Sequence, residues 1–357
     1  MSPRSTTICC ALVALSACRG GGATEVGYAT GEGDGSGESS ADEIGSSGES
    51  TSESSSDSGE SSDTEQTKFD LAPNDLPPPP PMIPETCEQA EAGETSVGCL
   101  FYTVDLDSNV DFTPFAAVVA NVQSEGQASV TLERKLDGVW TVLEGPVAID
   151  ALDLHTFTVA DDFHLENSGI NPGGAYRISA DLPVIAYQFN PIDGQKSYLS
   201  DASLLYPVSS WDHHNQIVNY ADASEMANPF ITIAAAHDGT AITVTPAVAT
   251  AGGPGVPAAA AGESVQILLD AGDSAVVEPV DTHADLSGTR VDSDPQTPVA
   301  VFAGHGCANI PAEACCCDHL EEQLTGVRLW GKEFVAGHMP PRDFADPEAT
   351  YWQIYAS

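Results

Sequence analysis

The stretch "GHGCANIPAEACCCDHLEEQ", residues 304–323, gathers two histidines, four cysteines and four acidic residues into twenty positions. Three chemistries use such groups. A structural zinc site needs thiolates and imidazoles placed tetrahedrally at about 2.0–2.3 Å. His305, Cys307, Cys317 and His319 are the candidates, but the C-x2-C spacing of the common sites is absent. A redox centre needs a C-x-x-C pair with a lowered thiol pKa, and the run Cys315-Cys316-Cys317 is a poor version of one. A disulfide needs only an oxidising compartment and two cysteines within reach. Paired acid–base chemistry finds little here. "DHLEEQLT" (318–325) is expected to form one or two helical turns with Asp318 as N-cap, and Glu321 and Glu322 would then diverge by about 100°. Which chemistry holds depends on where the chain resides.

The N-terminus bears on that. One basic residue, Arg4, precedes an apolar run from Thr7 to Leu15. The run is too short to span a bilayer, which takes about 20 residues, and has the length of a signal-peptide core. Leu15-Ser16-Ala17-Cys18 resembles a bacterial lipobox, so residues 1–17 are expected to be removed and Cys18 to carry lipid. Several acyl chains, at about 0.8 kcal/mol per buried CH2, would anchor the protein to a membrane. Arg19 stands where inner-membrane retention uses Asp, so the expectation is an exported, surface-exposed protein on the outer membrane. Residues 18–86 read as a linker, mostly Gly, Ser, Glu and Asp, too poor in apolar groups to offset the entropy of ordering. A random coil of that length spans about 40–45 Å before charge repulsion extends it. "DLPPPPPMIP" (75–84) ends it as a stiff polyproline II collar. Together these make a stalk between a lipid and a folded region.

The formal net charge is −42. Residues 76–357 still hold 39 acids against 8 bases, which argues against nucleic acid as a partner. With Cys9 and Cys10 in the signal peptide and Cys18 lipidated, six cysteines remain, an even number that favours disulfides outside the cytosol. "DLDSNVD" sets Asp105, Asp107, Asn109 and Asp111 at alternating positions, as a calcium loop begins. Such a loop also needs Gly at its sixth position and Glu at its twelfth; Val110 and Ala116 stand there, so a solvated strand edge is expected. His213 and His214 read as an exposed turn. No G-x-S-x-G elbow in the folded part, H-E-x-x-H, phosphate-binding loop or dinucleotide fingerprint is present, and neither a cofactor nor a catalytic residue is expected.

Two blocks recur in order. "PFAAVVANVQSEGQASVTL" begins at Pro114 and "PFITIAAAHDGTAITVTP" at Pro229, 115 residues later. Pro183-Val184 and Pro298-Val299 repeat the offset of 115. The pattern reads as a tandem duplication, with a first module over 87–227 and a second over 228–349. Residues 350–357, "TYWQIYAS", look like the opening strand of a third copy, inside which the sequence is expected to stop. Short runs rich in β-branched and aromatic residues, such as "FAAVVANV", "ASVTLERKL" and "VIAYQF", alternate with Gly, Pro, Asn and Asp. The expected fold class is all-β, as tandem sandwich-like modules, with a propeller-like arrangement as the alternative.

"DLPVIAYQFNPI", "SDASLLYPV", "PFITIAAAHDGTAITVTP", "DLSGTRVDSDPQTPVAVFAGHGCANIP", "CDHLEEQL" and "WGKEFV" occur in order. With them, residues 99–357 resemble the N-terminal domain of IgGFc-binding proteins, a family with related domains in bacterial surface lipoproteins. The resemblance implies a secreted or surface binding module without enzymatic activity; it carries over no immunoglobulin-contacting residue. It aligns Cys317, beside "DHLEEQ", with the family's single cysteine, and the "CCC" run departs from that pattern. A disulfide from Cys307 to Cys317 is therefore expected, with a second from Cys87 to Cys99. A loop of about ten residues gains roughly 2.5–3 kcal/mol in the chain-entropy view. The function expected is adhesion or binding of an extracellular protein or glycan. The alternatives are a structural envelope or matrix component, or an exported metal-dependent hydrolase.

Overall fold

The computed structural model describes residues 83–108, 114–159, 164–192, 200–221, 227–310, 317–337, 340, 350 and 352–356. Cys18 and residues 19–82 of the expected stalk lie outside them. Pro77–Ser357 is one compact unit, and its described part is essentially all-β. The one α-helix among the described residues, α1 (Cys87–Glu91), is N-capped by Thr86: Thr86 Oγ1 accepts from Gln89 N–H, while Gln89 Oε1 accepts from Glu85 N–H just before the cap. It is stapled to the first strand by Cys87–Cys99.

Eight strands follow: β1 (Gly98–Val104), β2 (Phe115–Asn121), β3 (Ala128–Leu136), β4 (Val139–Ile149), β5 (Leu154–Val159), β6 (Gly169–Asn171), β7 (Ala175–Asn190) and β8 (Asp201–Leu205). Eight more follow among the described residues: β9 (His214–Gln216), β10 (Pro229–Ala235), β11 (Thr240–Thr245), β12 (Val265–Leu269), β13 (Ser274–Val277), β14 (Arg290–Asp292), β15 (Val299–Ala308) and β16 (Asp318–Gln323). All pairings are antiparallel. The first half is organised by the long β7. Its N-terminal part lies between β1 and β3, and its C-terminal part between β2 and β8. β4 flanks β3 and β5 flanks β2. Residues from all these layers, among them Phe101, Leu132, Ile178, Val119 and Phe157, meet in one buried cluster. His155 on β5 hydrogen-bonds Glu144 on β4, so the sheet curls until its outer strands touch.

In the second half the arrays separate into two sheets, in the orders β12-β11-β14-β9 and β16-β15-β10-β13-β6. Ile242, Val291 and Ile267 from one sheet pack on Ile233 and Val301 from the other. The place that β7 fills as one strand is held here by β14 and β15. Between them lies "SDPQTP" (293–298), and each proline removes an N–H and fixes φ, which ends strand pairing. β6 leaves the first half and adds to the second at β13, while Lys135 and Asp238 form an ion pair between the halves.

Candidate functional site

The histidine- and cysteine-rich stretch is a hairpin. β15 is buried along its whole length and pairs with β16, Gly304 opposite Glu321 and His305 opposite Leu320. Gly304 is required: a Cβ there would stand 2.1 Å from the Leu320 carbonyl oxygen and 2.6 Å from the Phe230 ring. Cys307 and Cys317 are joined, with Cα atoms 5.0 Å apart. Cys315 and Cys316 lie outside the described residues. The helical turn expected at 318–325 is a strand over Asp318–Gln323. Its buried positions are His319, Glu321 and Gln323. A period of two written in polar residues carries no hydrophobic alternation, so the sequence pattern hid it. On a strand Glu321 and Glu322 face opposite sides, and they form no pair there either.

Those buried polar groups face the first half and make a seam. Gln188 of β7 accepts from Thr103 Oγ1 at 2.6 Å and from Val104 N–H at 2.9 Å. Its amide donates to Glu321 Oε2 at 2.8 Å. Glu321 N–H donates to Asp201 and Gln323 N–H to Ser203 Oγ. Tyr206 N–H donates to Gln323 Oε1. The edges of β8 and β16 are thus joined through side chains rather than by a backbone ladder. Burial lifts the Glu321 pKa well above the usual carboxylate range, and holds His319 down to about 4. His305 Nδ1 accepts from Cys307 N–H at 3.0 Å. Among the described residues no group of three or more His, Cys, Asp or Glu is placed to hold a metal ion.

Asp105 is not on a solvated edge as the sequence suggested. It is 6% exposed, beside His164 at 3.7 Å and within the electrostatic reach of His319. The turn that follows β1 tucks under the β15–β16 hairpin, where Gly306 leaves room for Asp107. Asn109 and Asp111 lie outside the described residues.

A cleft of about 460 Å³ opens where the halves meet, between β1 and the segment leading into β9, lined by Leu100, Pro207, Trp211, His213, His237 and Arg328 among others. Its organiser is Asp212, which sequence reasoning passed over in favour of the histidines after it. Asp212 Oδ1 accepts from the N–H groups of His213 and His214 and lies 3.1 Å from His213 Nδ1. Its Oδ2 accepts from Arg328 N–H at 2.9 Å. Arg328 also donates to the carbonyls of Ser209 and Trp211 and to Glu94. Gly326 allows this approach, because a Cβ would meet Asp212 Cβ at 1.9 Å. The aspartate turn after Trp211 was the available signal, since Asp side chains bond backbone N–H groups just ahead of them. His213 and His214 keep side-chain exposures of 47% and 42%, and His214 opens β9 and bonds Asp292. The cleft offers apolar walls and the imidazole of His213, oriented by a buried carboxylate.

No curated protein and no solved structure matches the chain. Residues 201–357, which run from β8 through β9 to β16 and include most of the cleft and the β8 and β16 members of the seam, match the family described as IgGFc binding protein.

Proposed function

We propose that this chain is a surface lipoprotein that binds an extracellular protein or glycan and carries out no catalysis. In this reading Cys18 bears the lipid, residues 18–86 are the stalk, and two copies of a duplicated β module stand on it at the outer membrane. The observation that carries the binding role is the family match over residues 201–357. The duplication is supported by equivalent pairing: β2 lies between β5 and β7 as β10 lies between β13 and β15. The cleft around His213 is the contact we assign to the ligand, because concave sites with apolar walls and a few fixed polar groups at module junctions are where ligands bind.

The test is binding of the full chain to immobilised extracellular proteins, glycans and IgG Fc, the last because the matched family's description names it. Saturable binding that His213→Ala weakens supports the reading. Turnover of a bound glycan or peptide, lost in the same variant, would replace it with the hydrolase. Loss of envelope attachment in Cys18→Ser tests the anchor.

A further inference from the structure

The seam contains groups that no binding role explains. Glu321 is 4% exposed and His319 is 1% exposed. Among the described residues Glu321 Oε1 and both His319 ring nitrogens have no hydrogen-bond partner. His319 Nε2 is 3.7 Å from Glu321 Oε2, and the imidazole stacks on Phe230. An isolated buried carboxylate is expensive, and so is an unpaired buried polar atom. Protonation relieves the first of these: a neutral Glu321 carboxyl carries no buried charge, and its Oε2 still accepts from the Gln188 amide at 2.8 Å while lying 3.7 Å from His319 Nε2.

The acidic surroundings oppose ionisation of Glu321, while the Gln188 amide of β7 works against them. Asp201 at the start of β8 and Asp105 after β1 both raise the cost of a negative Glu321. Asp107 and Asp318 lie within reach of His319. Glu322 occupies the other face of β16, and His305 is the titratable group on β15 nearest the pair. Gln188 on β7 is neutral. His164 contacts this set through Asp105.

We infer that the seam is a proton-operated clasp: β16 stays docked against β7 and β8 while the Glu321–His319 pair keeps its proton, and loosens when that proton passes to solvent. Among the described residues, loss of the proton leaves a buried carboxylate with Gln188 as its one side-chain donor and with Asp201 and Asp105 as acidic neighbours. The sign follows from linkage. A carboxyl whose folded pKa is raised contributes stability that is complete below the unfolded value, near pH 4.3 for Glu, and that falls as pH rises toward the folded value. The docked state is therefore favoured in mildly acidic surroundings and weakened in alkaline ones.

The experiment is amide hydrogen exchange on the full chain between about pH 5 and about pH 8, corrected for intrinsic rates, comparing wild type with Glu321→Gln. Gln keeps the shape of the protonated carboxyl and cannot ionise. The amides of Glu321, Gln323 and Tyr206 report the clasp. In wild type their opening should grow by up to about tenfold per pH unit, and in Glu321→Gln it should stay flat. Equal slopes in the two proteins overturn the clasp, as does a wild-type slope abolished by calcium chloride, which would assign the seam to a cation. Should the variant not fold, the assigned carboxyl carbon of Glu321 in wild type decides. Protonated at about pH 7 it supports the clasp, and ionised there it overturns it.

Discussion

Gly98–Leu205 and His214–Gln323 pair their strands to the same plan and differ in how they close. The first half keeps one continuous strand, β7, that serves both of its layers, and its core holds large aromatic groups, among them Phe101, Phe115, Phe157 and Tyr176. The second half divides that strand at "SDPQTP", and its separate sheets enclose a core of Ile, Val and Leu. The two also differ at their free edges. Trp211 and Trp330 each follow a 3-10 turn, Val208–Ser210 and Val327–Leu329, and each donates Nε1–H to a carbonyl five residues back, on Tyr206 and Thr325. After Trp211 the chain enters β9 and is covered. After Trp330 it presents Phe334 and Val335 at 82% and 99% exposure. The same local device therefore leads to different structure, because a strand exists only where a partner edge receives it.

The largest test of that comparison is cooperativity. Phe230 of β10 is fully buried at the seam, and Phe230→Ala should destabilise by about 3–5 kcal/mol. If the halves share one interior, thermal unfolding followed by hydrogen exchange in β2 and β3 of the first half and in β11 and β12 of the second should shift together. Two separate transitions would break the comparison into independent modules.

Next in size is the staple of the second half. Cys307→Ser should cost about 2–4 kcal/mol and free the β15–β16 connection, whereas Cys87→Ser should loosen α1 and leave β10–β15 protected. Non-reducing peptide mapping and exchange of the two variants compare them directly; identical exchange patterns would mean the staples act on one shared element.

A smaller effect concerns Glu278, which follows β13 and donates its N–H to Ser168 Oγ of the first half. Burial, helped by Asp107, pushes its pKa up to about 7. A raised carboxyl pKa means stability is lost as pH climbs from the unfolded value through about 7. Glu278→Gln should remove that loss and raise stability at about pH 8 by up to about 3 kcal/mol, with little change near pH 4. Chemical denaturation at the two pH values measures it, and a gain at both would assign the effect to packing.

The smallest contrast is between the tryptophans. Trp211→Phe removes a buried donor and should cost about 1–2 kcal/mol, while Trp330→Phe, in a more open setting, should cost about 0.5–1 kcal/mol. Equal losses by thermal unfolding would mean that Trp330 is held as firmly as Trp211.

The sequence by itself determined the class of the fold and the punctuation of the strands, because β-branched runs, turn glycines and prolines act locally. "FAAVVANV" and "PFITIAAA" are strands for reasons written within their own residues. It also determined the acidic character of the chain. It did not determine β16: "DHLEEQ" has the composition of a helix turn, and becomes a strand because β15 offers it an edge and Gln188, Asp201 and Ser203 offer its polar groups partners. Asp212 lay in plain view beside two histidines, yet its role depends on Arg328 and Gly326, more than a hundred residues away. The burial of Asp105 likewise follows from a hairpin far along the chain. Strand propensity is a property of neighbours in sequence, whereas the cost of burying a charge is a property of neighbours in space, and only the tertiary structure decided the latter.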